Sequence, residues 1–425
     1  MGVLPASLAL QIIEDGQMPL TLTLANHLDN NIVDDLESQM ETLFPAKEVA
    51  PGCVFCHRRQ PEEAVRRCWY RPVGWQILRK VAHMIIDIHG HYTTAPPALE
   101  EWRKKQVSSL TDASVTADPK DLSISDDDLC ETIEKNQLAF MNERGVDWQI
   151  FSPRASHMAH HIGDFQTSST WASICNELCY RITRLYPDRF MAAAMLPQSP
   201  GVDPKTCVPE IDKCVNEYGM VAINLNPDPS GGSFNAPPLT DKSWYPIYEK
   251  MAEYDIPAMI HVSTACNPAF HTTGSYYINA DTTAFMQFLT GDLFKDFPTI
   301  KFVIPHGGGA VPFHYGRYRG LAQELKKPPI PEHLFGNVFF DTCVYHQPGI
   351  DLLTNVIPID NVLFASEMIG AVKGIDPETG HYFDDTKRYV MAAPISDGAR
   401  AQIFEQNARK VYPRINPIID KAEAR

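Results

Sequence analysis

Two histidines, His89 and His91, stand two residues apart at the end of the apolar run Met84-Ile85-Ile86-Asp87-Ile88. On a β-strand the side chains at i and i+2 share a face, so both imidazoles project together and can converge on one metal ion. A bare His-x-His is more often a pair of partly exposed loop residues, and here the pattern downstream decides otherwise. His261 follows Pro257-Ala258-Met259-Ile260, His306 follows Phe302-Val303-Ile304-Pro305, and Glu367 follows Leu363-Phe364-Ala365-Ser366. One histidine at a strand end is ordinary, but five residues of ligand type at the ends of the first, fifth, sixth and eighth strands form a set. Three imidazoles and a carboxylate suit Zn²⁺ with a position left for water or substrate, while Mn²⁺ and Fe²⁺ accept the same donors. In an open zinc site the pKa of bound water falls to about 7, which makes a nucleophile available at neutral pH.

The elements that must position these residues begin at Met84. From there short apolar strands alternate with helical stretches, and eight strands are predicted at Ile85–His89, Asp147–Ser152, Phe190–Leu196, Val221–Asn226, Ala258–Val262, Lys301–Pro305, Val338–Thr342 and Val362–Ala365. The clearest helix carries Trp171, Ile174, Leu178, Ile182 and Leu185 and is stopped by Pro187; another, near Ser396–Val411, opens on a cap-like Ser396-Asp397. Eight βα units predict an α/β fold, a (β/α)8 TIM-like barrel, whose strand ends gather on one face where chemistry collects. A doubly wound sheet would usually carry a Gly-rich phosphate turn after its first strand, and His89-Gly90-His91-Tyr92 is not one. Residues 1–83 show no sustained period and are expected to be an extension outside the barrel, with Met84 the favoured native start. Residues 84–415 form the expected catalytic barrel and residues 416–425 a C-terminal tail.

The chain has 425 residues, 44% of them hydrophobic, with 37 basic against 52 acidic side chains and a net charge of −15. Such a balance repels phosphate backbones and anionic membranes, so neither nucleic acid nor membrane is an expected partner. No stretch approaches the roughly 18 consecutive apolar residues of a membrane span, and the N-terminus has no basic region before an apolar core, so a cytoplasmic location is expected. The ten scattered cysteines read as reduced thiols rather than a disulfide scaffold.

The His-x-His after the first strand, the fifth-strand His261, the run His306-Gly307-Gly308-Gly309 and the eighth-strand acid together resemble the amidohydrolase superfamily, specifically its amidohydrolase-2 branch, from Met84 to about Pro413. Within that branch the stretches Met84 to Tyr92, Glu101-Trp102-Arg103, Ser152-Pro153-Arg154-Ala155 and Phe364-Ala365-Ser366-Glu367-Met368 are similar to the hydratases of 4-oxalomesaconate. The superfamily's eighth-strand acid is normally Asp, and a Glu at that place fits the hydratases. The resemblance implies one Zn²⁺ held by His89, His91, His261 and Glu367, with Glu367 also the base. It implies Tyr277 as general acid and a substrate-facing His306. It further implies addition of water to the C=C of 4-oxalomesaconate or its enol, 4-carboxy-2-hydroxymuconate, giving 4-carboxy-4-hydroxy-2-oxoadipate in protocatechuate and gallate catabolism. The alternative is a nonoxidative decarboxylase or hydrolase of the same superfamily. In related decarboxylases the Arg matching Arg317 reaches into a neighbouring subunit's site, which implies a homodimer or higher homo-oligomer. Arg154 and Asn226, at the ends of the second and fourth strands, are expected to bind the carboxylates of a small polycarboxylate substrate.

Other clusters are expected to be bland. Cys53-Val54-Phe55-Cys56-His57 has the look of a zinc knuckle but no second pair at finger spacing. His157, His160 and His161 read as solvated loop residues. Asp126-Asp127-Asp128, after Ser125, reads as a helix-capping feature. Gln11–Glu14 and Trp75–Val81 are expected to be short helices on the barrel's exterior.

Overall fold

A computed structural model describes residues 84–424; the expectations for residues 1–83, including the cysteine pair and the two short helices, lie outside the described residues. Eight parallel strands form one sheet in sequence order: β1 (Ile86–Tyr92), β2 (Trp148–Pro153), β3 (Phe190–Met195), β4 (Ala222–Leu225), β5 (Ala258–Ile260), β6 (Phe302–Ile304), β7 (Val338–Asp341) and β8 (Val362–Leu363). Past the end of β8, Ile88 N donates to Phe364 O at 3.1 Å and Glu367 N to His89 O at 3.0 Å, so backbone bonds also link the last strand to the first.

Alternation along the strands splits the apolar residues into two sets. Ile86, Ile150, Met191, Met259, Val303, Phe339 and Leu363 meet in one cluster on the inner face. Phe151, Phe190, Ile223, Ile260, Phe302, Phe340 and Val362 pack outward against the helices. The predicted helix through Trp171 and Leu185 spans Phe165–Leu185, capped by Asp164. Asp126–Lys135 begins with a capping box in which Ser125 and Asp128 bond each other's backbone amides, as the acidic run predicts. Ser396 caps Asp397–Ala401. Residues 416–423 are helical, and Ile419 joins Tyr412 and Ile415 in the inner cluster.

β1 runs three residues beyond its predicted end, because His91 and Tyr92 still pair with Ser152 and Pro153. It is also irregular: Asp87 faces Gln149 but Gly90 faces Phe151, so three steps on β1 match two on β2. One extra residue reverses the alternation. Ile86 and Ile88 can thus pack in the inner cluster while His89 and His91, of opposite parity, also turn to the inner side above them. Asp87 secures the kink, accepting bonds from His89 N, Gln149 Nε2, Ser366 N and Ser366 Oγ.

No helix among the described residues is long and apolar enough to cross a membrane. The cysteines among them are free thiols.

Candidate metal centre

His89, His91, His261, His306 and Glu367 are all buried and lie together at the carboxyl ends of their strands. His89 Nε2 is 3.0 Å from His91 Nε2, which is 3.2 Å from His261 Nε2. Glu367 Oε1 is 3.9 Å from His91 Nε2, and Oε2 is 3.8 Å from His306 Nε2. Ligand atoms of His89, His261, His306 and Glu367 all fall within 4.8 Å of one another.

The remaining ring nitrogens determine what this convergence means. His89 Nδ1 donates to Asp341 Oδ2 at 2.8 Å, and His261 Nδ1 to the Val262 carbonyl at 2.8 Å. His91 Nδ1 donates to Ser152 Oγ at 2.8 Å, since that hydroxyl is aimed at the Gly90 and Pro153 carbonyls. Burial, reinforced by the neighbouring imidazoles, pushes the pKa of His91 and of His261 well below the ordinary value, so both rings are neutral. A neutral imidazole protonated on Nδ1 has a bare lone pair on Nε2. The His91 and His261 lone pairs meet at 3.2 Å with no proton to share, and His89 Nε2 stands 3.0 Å from the first, an arrangement that repels itself unless a cation sits among them. The residues present therefore fit a metal ion, and their partners supply the outer bonds that orient metal-bound imidazoles.

His306 differs. Its Nδ1 donates to Asp281 Oδ2 at 2.8 Å; burial works against its charge, but the Asp281 carboxylate outweighs it and raises the pKa. Its Nε2 is buried without a hydrogen-bond partner among the described residues. Its backbone begins four consecutive residues of positive φ, His306 to Gly309, and a Cβ on Gly308 would meet Phe340 at 2.3 Å, so the glycines let the turn fold tightly over β7.

Tyr277 opens the helix Tyr277–Thr290 with its ring 5.0 Å from that of His261 and 5.3 Å from that of His306. Burial and then the Glu367 charge push its pKa up, so its hydroxyl keeps its proton. Arg154, half-buried after β2, bonds Ser156 and joins Thr93 and His157 in lining a cavity of about 390 Å³; no histidine of the cluster lines it. Asn226 is not among the cluster's contacts. Its Nδ2 bonds His160 Nδ1 at 2.9 Å and its Oδ1 accepts from Asp228 N at 2.8 Å, so the amide is spent on loop structure. His160, expected in solvent, is buried between that amide and the Leu196 carbonyl, because the second βα loop folds down onto β3 and β4. Arg317 is exposed on the helix Tyr315–Glu324, near Phe313, whose ring is 74% exposed.

Four residues that bond the cluster were missed: Asp341 on His89, Ser152 on His91, Asp281 on His306 and Tyr345, whose hydroxyl donates to Glu367 Oε2. Asp341 ends the seventh strand, so the strand-end rule that found the histidines also marks it. Ser152 ends the second strand in the same way. Asp281, inside a helix, and Tyr345, in a loop, carry no such signal.

A family model described as amidohydrolase matches residues 86–414. The 2-keto-4-carboxy-3-hexenedioate hydratase of a Sphingobium strain is 59% identical over 333 residues, 78% of this chain and 97% of that protein. The crystal structure of a 4-oxalomesaconate hydratase from Rhodopseudomonas palustris matches with a TM-score of 0.75 and 65% identity, covering 80% of this chain and 99% of that one. A dihydroxybenzoic acid decarboxylase from Polaromonas with bound manganese has a TM-score of 0.56 at 18% identity over 79% of this chain and 98% of its own, a likeness of fold alone.

Proposed function

Because the chain belongs to the amidohydrolase family, we propose that it is a metal-dependent hydro-lyase that adds water to the C=C of 4-oxalomesaconate or its enol. The observation that carries this reading is Glu367, buried against three metal-seeking imidazole nitrogens, in a chain 59% and 65% identical to hydratases. The sheet closes as a (β/α)8 barrel, and residues 84–415 are the catalytic unit, with none of the proposed ligands in residues 1–83.

His89, His91, His261 and Glu367 would hold one Zn²⁺, to which three imidazoles and a carboxylate are suited. The ion supplies Lewis acidity, which polarises what it touches and makes water a better nucleophile. Glu367 takes a proton from the attacking water, and Tyr277, kept protonated, gives one to the neighbouring carbon. One C–O and one C–H bond form as the C=C π bond is lost, so the reaction balances without a redox partner. His306 Nε2, unbonded and facing Glu367, is placed to polarise the substrate. Arg154 counters a carboxylate from the same protomer, and Arg317, exposed on its helix, one in a neighbouring subunit's site.

The deciding assay follows the ultraviolet absorbance of the conjugated substrate in ¹⁸O-labelled water while trapping CO₂. Hydration loses the conjugation, puts one solvent oxygen in the product and releases no gas; CO₂ release would establish the decarboxylase instead. Tyr277→Phe should lower turnover about 10²–10⁴-fold, the usual effect of losing a general acid, with the metal retained. Glu367→Gln should be worse, since a ligand and a base go together.

A further inference from the structure

Glu367 is an unusual support for a ligand. Its backbone has φ 48°, its amide is tied to the His89 carbonyl and its own carbonyl to Gly370 N. Beyond that anchor, glutamate has one more rotatable bond than the aspartate usual at this place, and a carboxylate free to swing is a poor ligand and a poor base. The side chain is only 3% exposed, so water does little to set its orientation.

Among the described residues, one side-chain hydrogen bond restrains it. The Tyr345 hydroxyl, on the segment after β7, donates to Glu367 Oε2 at 2.5 Å. Tyr345 also has positive φ, 64°, and its ring packs against the inner apolar cluster, so the donor is itself held from two sides. A left-handed backbone at a non-glycine residue costs free energy and persists only where the surroundings enforce it. Glu367 and Tyr345 are two such residues, joined by a short charge-assisted hydrogen bond. The two carboxylate oxygens are thereby made unequal: Oε2 accepts from the Tyr345 hydroxyl and lies 3.8 Å from His306 Nε2, while Oε1 has no such donor among the described residues and lies 3.9 Å from His91 Nε2.

We propose that Tyr345 is a positioning residue whose hydroxyl fixes Oε2 of Glu367, so that Oε1 is presented to the imidazole cluster and a glutamate can serve as ligand and base together. This rests on the assignment of Glu367 as a metal ligand and base. Tyr345→Phe keeps the ring and removes only the donor. Metal affinity, measured by chelator competition with Zn²⁺, should weaken about 10-fold, the lower end of what losing a ligand's hydrogen-bond partner costs. In the Glu367→Ala background the same change should leave metal affinity unaltered, because no side-chain oxygen remains to be held. With substrate, kcat should fall about 10–100-fold and KM stay near the wild-type value. Unchanged metal affinity in Tyr345→Phe would overturn the proposal. An equal loss in both backgrounds, with a lower melting temperature of the metal-stripped protein, would also overturn it by making Tyr345 a packing residue. The metal measurements need no substrate, so they stand or fall separately from the hydratase assignment.

Discussion

At the scale of single residues, the cluster depends on buried carboxylates that bond its imidazoles, Asp341 to His89 and Asp281 to His306. Asp341 receives the Nδ1 proton of His89 and, through Oδ1, the amides of Gly307 and Cys343, so one side chain orients a proposed ligand and pins the loop that carries His306. Burial disfavours its charge, but the His89 bond prevails and its pKa lies below the ordinary carboxylate value. Asp341→Asn keeps the shape and weakens the acceptor, which frees His89 to take the wrong tautomer. Metal affinity or turnover should drop about 10–100-fold. Titrating the apo-variant with Zn²⁺ checks this, and wild-type affinity would refute it.

At the scale of elements, the irregularity in β1 is what permits an apolar inner layer beneath a cluster of imidazoles. Gly90 is obligatory there. A Cβ would lie 2.4 Å from Gln149 Cδ, and Gln149 is fully buried with its Nε2 bonded to Asp87 Oδ2, so it cannot swing aside without breaking that bond. Gly90→Ala should destabilise the fold by about 1–3 kcal/mol, as overpacking does, and lower the bound metal per chain. Urea unfolding and elemental analysis read both effects, and an unshifted midpoint with full metal content would show that the strand absorbs the methyl group.

At the scale of the whole molecule, the inner cluster is filled from below by the end of the chain, where Val411, Tyr412, Ile415 and Ile419 meet residues from the strands. Ile419 is fully buried, so Ile419→Ala should cost about 2–5 kcal/mol by cavity formation. It belongs to the apolar inner cluster, which contains none of the proposed ligands, so kcat at low temperature should be unaffected; a large kcat loss without loss of stability would show coupling to the centre. The exposed Arg317 sets a second expectation: mixing Arg317→Ala with Glu367→Gln subunits should restore activity through hybrid sites. A fully active monomer in sedimentation would contradict it.

The eight strands, the caps at Ser125 and Ser396, and five of the residues at the centre were legible in the sequence. These are local matters: a strand's period, a serine before a helix, a histidine just past an apolar run, each readable within a few neighbours. Only the tertiary structure decided which nitrogens are bare, because tautomers follow from partners far away in the chain, such as His89 and Asp341, 252 residues apart. It also decided that Asn226 and His160 satisfy each other, since two polar groups brought together in a closed space bond to one another first. The parity of β1 lay beyond the sequence for a related reason. Its extra residue is defined only against β2, and simple alternation would have sent His89 to the face opposite Ile88. Tyr345 was hidden most completely: a loop residue of left-handed backbone, it acquires a role only when β7 and β8 pair side by side and the segments that follow them come within one hydrogen bond.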